Sequence, residues 1–288
     1  MQDCSTGVMP EDMMRGAEFM WDRDQVDFVR TSLLPWAVVP ETEFGGREGG
    51  LKRVLSRSRT TGAETTIVRV TSDVRGRMQS AIDLMCLAGR GTINGRPFVP
   101  GVFTHVPAGA VVDLVAVTTP VLIYAAGFGT ATLTPDDARH DDIPYFDLDA
   151  LPWTDMSWRG DEAPSPAVKI KWIRREESEF GIAFLVAMLP GYQTEAEEVH
   201  PVSEESYKLA GDLLLGRRGI VGPGGYFYRP GGVWHAPLYS RTGNMSIIRK
   251  SGLGSTDYRD PEPGFDIESL KIRAYENFRA PGLESDHY

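Results

Sequence analysis

The sequence predicts an all-β protein made of one unit used twice, and three observations predict it. Runs of strand length rich in β-branched residues recur between Gly and Pro: TTIVRV (65–70), VVDLVAV (111–117), PVLIYAAG (120–127), IAFLVAML (182–189) and MSIIRK (245–250). The chain carries 31 Gly and 20 Pro, the turn supply that many short strands need and long helices do not. Short phrases also return in the same order at a nearly constant distance.

Those phrases define the unit. LPW stands at 34–36 and 151–153, and LKRVL (51–55) resembles VKIKW (168–172). Glycine then opens the apolar runs at 62 and 181. LAG follows at 87–89 and 209–211, and VPAG (106–109) faces RPGG (229–232). Any single match is chance, but an ordered series is a duplication. We expect a module over 31–140 and a second over 141–255, each a sandwich or jelly roll of strands spaced about 8–12 residues apart. Residues 1–30 form an N-terminal extension, with a short helix expected within 11–33, and 256–288 form a polar tail. The acidic, turn-rich stretch DDARHDDIPYFDLDALP reads as the linker.

Composition narrows the function. A net charge of -10 disfavours nucleic acid and anionic membranes as partners. No apolar run reaches the roughly 18 residues of a membrane span. The two cysteines, Cys4 and Cys86, make neither a disulfide framework nor a zinc ribbon, and no signal peptide is evident, so a cytoplasmic protein is expected. Cys86, inside LMCLAG, reads as a small buried hydrophobe.

The chemistry concentrates in EVHPVSEESYKLAG (198–211) and GPGGYFYRPGGVWH (222–235). His200 and Glu204 are four apart, so a strand of period two points both the same way. A histidine and a carboxylate inside a barrel are costly unless something positive binds them. Glu198 shares that face, as do Ser206 and Lys208. Lys208 either enters the cavity to meet an anionic substrate or snorkels to the barrel rim. Glu205 alternates outward and reads as a surface acid. His105 and His140 lack partners at ligand spacing and read as surface or loop residues, with His287 in the tail.

The spacing of the two stretches resembles the paired motifs of the cupin superfamily. The likeness covers both modules, as in a bicupin, and the HP..EE.Y.L.G run is similar to that of the ChrR-like group. The resemblance implies that His200, Glu204 and His235 converge on a divalent metal, Fe(II) first, with Mn, Zn or Ni as other occupants. Many cupins have a histidine where this chain has Glu198, which is then a fourth ligand, a base or an ion-pair partner. The family asparagine after the last histidine is replaced by Tyr239. In the first module the positions of Glu198, His200, Glu204 and His235 fall on Gly76, Met78, Ile82 and Val112, so that module lacks the ligands.

Two imidazoles and a carboxylate with open positions are the arrangement of non-haem Fe(II) oxygenases. The expectation is a dioxygenase, an oxidoreductase acting on a small diketone, enol or phenolic ketone, with Glu198 or Lys208 moving the proton. The alternatives are a redox-neutral isomerase, lyase or cyclase, and a non-enzymatic ChrR-like sensor of metal or oxidant. A homodimer is implied by resemblance.

Overall fold

The computed structural model describes residues 22–156, 165–175, 180–216, 219–235, 237–261, 263–269 and 271–272. Regular structure among them is almost all strand. The first half holds β1 (Val26–Arg30), β2 (Ala37–Val38), β3 (Leu51–Arg57), β4 (Glu64–Val70), β5 (Val74–Met78), β6 (Ile82–Ile93), β7 (Arg96–Phe98), β8 (Val102–Val106), β9 (Val111–Gly127), β10 (Leu133–Thr134) and β11 (Tyr145–Asp147). The second holds β12 (Thr154–Asp155), β13 (Val168–Arg174), β14 (Ile182–Met188), β15 (Glu197–Val199), β16 (Glu204–Gly211), β17 (Leu213–Leu215), β18 (Ile220–Val221), β19 (Gly225–Arg229), β20 (Leu238–Tyr239), β21 (Asn244–Lys250) and β22 (Asp257–Arg259).

Two large sheets repeat one strand order. The first runs β11-β8-β6-β9-β4-β3-β2, the second β1-β19-β16-β21-β14-β13-β12. Smaller pairings fold each sheet over on itself as in a jelly roll: β5 joins β9 and β10 in the first half, while β15 joins β22 and β17 joins β18 and β20 in the second. The edge strands are exchanged. β1 precedes every strand of the first sheet yet pairs with β19 of the second, and β11 immediately precedes β12 of the second sheet yet pairs with β8 of the first. The stretch expected as linker therefore supplies an edge strand. The described part of the expected N-terminal helix is strand β1 followed by one 3-10 turn, Thr31–Leu33. Val26, Phe28 and Val29 give that segment the β-branched and aromatic character of a strand.

The repeated phrases have a backbone cause. Gly89 and Gly211, the last residues of the two LAG phrases, have φ of +82° and +70°. A Cβ at Gly211 would sit 1.9 Å from the carbonyl oxygen of Gly243, and one at Gly89 2.8 Å from that of Pro120. Glycine alone meets both demands.

The interior of the first barrel is apolar, with Met78, Ile82, Leu84, Val106 and Val112 in one cluster. Cys86 is buried there as expected. A second apolar zone joins the two large sheets back to back; its rings Tyr124 and Tyr207 lie 5.4 Å apart. Each such side chain contributes roughly 1.5–3 kcal/mol on full burial.

That zone corrects two sequence expectations. Glu205 does point out of its barrel, but the outer face is covered, and its carboxylate is fully buried against Arg249, Arg23, Tyr226 and Thr65. His105 is buried too, its Nδ1 2.8 Å from Asp83 Oδ1. Cys4 and His287 lie outside the described residues. No helix among the described residues is long and apolar enough to cross a membrane.

Candidate metal centre

Strand β15, the start of β16 and the segment ahead of β20 meet at one end of the second barrel. Glu198 and His235 form an isolated bridge, their backbones exchanging N–H···O bonds of 3.0 and 2.9 Å. This places Glu198 Oε1 3.0 Å from His235 Nε2. His200 follows β15, and its ring centroid lies 5.2 Å from that of His235. One ligand atom from each of Glu198, His200 and His235 lies within 4.8 Å of the others, and all three residues are buried.

The rings are aimed from behind. His200 Nδ1 is 3.0 Å from Thr256 Oγ1, so Nε2 turns to the centre, where it is buried with no hydrogen-bond partner. His235 Nδ1 faces the carbonyl of Val233 at 3.3 Å. If it donates there, Nε2 presents a lone pair to a carboxylate oxygen, an arrangement that a cation between them relieves. Burial pushes the His200 imidazole down to about 4, against the pull of Glu204, so the ring is the neutral form that ligates metal. An orphaned imidazole nitrogen, a second imidazole and a buried carboxylate converging on one point fit a divalent metal.

Glu204 stands beside this set. Its Oε2 is 3.6 Å from His200 Nε2 but 3.0 Å from Lys250 Nζ. Burial alone would raise its carboxyl; Lys250, His200, His235 and Arg229 bring it down to about 2. The sequence offered Glu204 as the triad carboxylate and Glu198 as a fourth group, whereas the geometry brings Glu198 into the tightest cluster. Lys208 does not snorkel. It is 1 % exposed, and its ammonium donates to Asn244, which lines the cavity. Burial lowers that amine to about 7, against the pull of Asp212. Of the aromatic residues, Tyr226 and Tyr228 pack between the sheets, Trp234 carries Arg259 over its ring, and Phe227 faces the cavity.

Sequence reasoning missed Arg229 and Lys250. Both are buried and both line the cavity. Each is the cross-strand partner of Glu204, on β19 and β21 respectively. Arg229 alternates in phase with Phe227, but that its strand lies beside Glu204 is a long-range register that no local pattern encodes.

The first barrel keeps the same rungs without the chemistry. Gly76 pairs with Val112 as Glu198 pairs with His235. Ile82 pairs with Val106 and Gly127 as Glu204 pairs with Arg229 and Lys250.

Fold and pairing define a cupin-like jelly-roll protein. Solved structures share it. A protein of Nostoc punctiforme described as a "putative dioxygenase" superposes with a TM-score of 0.73 at 17% identity, over 86% of this chain and 95% of that one. An oxalate decarboxylase of Bacillus subtilis superposes with a TM-score of 0.53 at 12% identity, over 89% of each chain. At these identities the likeness is one of fold. The chain belongs to the DUF4437 family, described as a domain of unknown function, whose model matches residues 91–254. No curated protein matches the sequence.

Proposed function

We propose that the protein is a non-haem Fe(II) dioxygenase that cleaves a small diketone, enol or phenolic ketone. The observation that carries it is the buried convergence of Glu198, His200 and His235. Two imidazoles and one carboxylate leave positions open on an octahedral ion, and Fe(II) so held supplies dioxygen chemistry. The description of the Nostoc punctiforme protein agrees with that direction. The chain's own part is to hold the ion, to aim both imidazoles from Thr256 and Val233, and to keep water out with Phe184, Phe227 and Ile248. With Glu198 in the metal set, Lys208 is the residue that moves the substrate proton, from its place behind Asn244.

The reading takes the chain as a duplicated bicupin, with modules 31–140 and 141–255, the first having lost its ligands, and ChrR-like in its motif. It takes a cytoplasmic homodimer. A redox-neutral lyase is the second reading, favoured by the buried amine of Lys208, which is poised to give and take protons.

Metal analysis of the purified protein should find one divalent ion per chain, lost in His200→Ala and His235→Ala. Oxygen uptake after Fe(II) loading, with a panel of diketones and hydroxyaryl ketones, tests the reaction. Turnover under strict anaerobiosis would move the assignment to the lyase.

A further inference from the structure

The first barrel keeps no metal set, yet it holds a cavity of about 450 Å³, within the roughly 300–1,000 Å³ range of small-molecule sites. Strands β3, β4 and β9 form its wall, and the segment that follows β2 borders it. The residues that open it differ position by position from those of the second barrel. Thr66 pairs with Ala125 where Phe184 pairs with Ile248. Gly127 stands where the second barrel has Lys250. Three bulky side chains are thus matched by a threonine, an alanine and a glycine. Protein interiors are close-packed, and space left open in one costs stability unless something fills it.

Charge runs the other way. Lys52 and Glu64 occupy the positions of Ile170 and Ile182. Lys52 is 8 % exposed, and its Nζ donates to Glu43 at 2.7 Å and to Glu64 at 2.8 Å. Burial alone would lower the amine; the two glutamates bring it above its ordinary value, so it stays an ammonium. An ammonium has three protons, and the two carboxylates take two of them. Arg57 also pairs with Glu64. The charged side chains of the lining are therefore matched among themselves, and a ligand needs no charge to enter. A lysine that only tied β4 to the segment after β2 would not need small residues beside it.

We propose that the cavity of the first barrel is a second ligand site, for a small neutral molecule with an apolar body and one hydrogen-bond acceptor, such as a ketone or ester, that takes the third proton of Lys52. The site goes beyond the metal reading, and neither depends on the other.

Prodan, a neutral propionyl-(dimethylamino)naphthalene whose emission moves to the blue on leaving water, is a suitable probe. Titrated with the full chain it should give a saturable blue shift at one site per chain. Methyl NMR of the wild type should place it by shifts at Val54, Val68 and Ala131. The same naphthalene amine without the propionyl group should bind roughly tenfold or more weaker, as the loss of a hydrogen bond to a charged donor predicts. Thr66→Phe and Ala125→Ile, which bring in the residues of the second barrel, should each weaken prodan roughly tenfold or more. His200→Ala should bind prodan as the wild type does. No saturable binding by the wild type, equal affinity for the two naphthalenes, or shifts centred on Leu213 and Leu238 of the second cavity would each overturn the proposal. So would binding that survives both filling variants or fails in His200→Ala.

Discussion

Asp83 and Glu205, one from each large sheet, are both fully buried and share a single guanidinium, that of Arg249. Its Nε lies 3.1 Å from Asp83 Oδ2, and its Nη1 donates to Glu205. Arg174 adds a second cation to Asp83 at 3.0 Å, and Arg23 one to Glu205 at 3.4 Å. Glu205 immediately follows Glu204, and Arg249 immediately precedes Lys250. The same two strands therefore carry the ion cluster on one face and the cavity rung on the other.

Removing Arg249 leaves two buried acids short of a partner, so Arg249→Met should destabilise the fold by about 3–5 kcal/mol in chemical denaturation. Burial alone would raise the carboxyls of Asp83 and Glu205; Arg174 and Arg249 hold Asp83 far below the carboxylate range, and Arg249 with Arg23 holds Glu205 below its ordinary value. A carboxyl depressed on folding stabilises above its unfolded pKa of about 4 and loses that contribution as pH falls toward the folded value. The contribution of these two carboxylates should be level from pH 7 to 5 and fall steeply below about 4, on top of the decline between about 6.5 and 4 that the depressed His200 imidazole adds. The double variant Asp83→Asn, Glu205→Gln should flatten that acid limb.

Lys208 gives a slope of the opposite origin. Its amine is about 7 in the fold and near 10.5 outside it, so the unfolded chain binds more protons between those values. Stability therefore rises with pH across that window, and below it the penalty is fully present. Each tenfold loss of proton affinity on folding costs about 1.4 kcal/mol. Lys208→Met should therefore stabilise the protein at pH 6 by a few kcal/mol, with the gain shrinking toward pH 10. A variant that is less stable at pH 6 would show that the bond to Asn244 outweighs the burial of the charge.

The sequence shows the repeat because its causes are local. Gly89 and Gly211 are held by a left-handed φ and a close carbonyl, so LAG persists in both halves whatever lines the barrels. The shared parity of Glu204 and Lys208 on β16 is legible for the same reason, since period two needs only neighbours, whereas Glu198 sits on the separate strand β15 and reaches the site through its bridge to His235. What covers the outward face is not local. Glu205 reads as a surface acid until the first sheet is packed over it, and His105 reads as unpartnered because Asp83 reaches it through pairing of β6 with β8. Arg229 and Lys250 stayed hidden because their significance is their register with Glu204. The exchange of β1 and β11 is a choice of partner sheet, for which sequence has no signal.

The cluster geometry ranks the ligands. Glu198 contributes an atom within 4.8 Å of both histidine ligand atoms, while Glu204 is held by Lys250 at 3.0 Å. Competition against a chelator should therefore show a larger loss of zinc affinity for Glu198→Gln than for Glu204→Gln. Thr256→Val, which frees Nδ1 of His200 from its 3.0 Å contact, should cost roughly 10–100-fold, the usual effect of an outer hydrogen-bond partner. The reverse order of the two glutamates would make Glu204 the ligand and Glu198 its neighbour.

The exchanged edge strand links the N-terminal segment to the barrel that holds the candidate metal centre. β1 pairs Val26 with Tyr228, Val29 with Tyr226 and Arg30 with Gly225, along the strand whose last residue is Arg229. Just before it, Arg23 is buried against Glu205, Ser56 and Thr65. Deleting residues 1–30 should do two separable things. It bares the β19 edge, so the truncated chain should self-associate in size-exclusion runs as its concentration rises. It leaves Glu205 with one cation fewer, so the acid limb of stability should move to higher pH. A truncated protein that stays monomeric with an unchanged acid limb would mean that β1 merely decorates the second sheet, and that the back-to-back apolar zone suffices to hold the barrel.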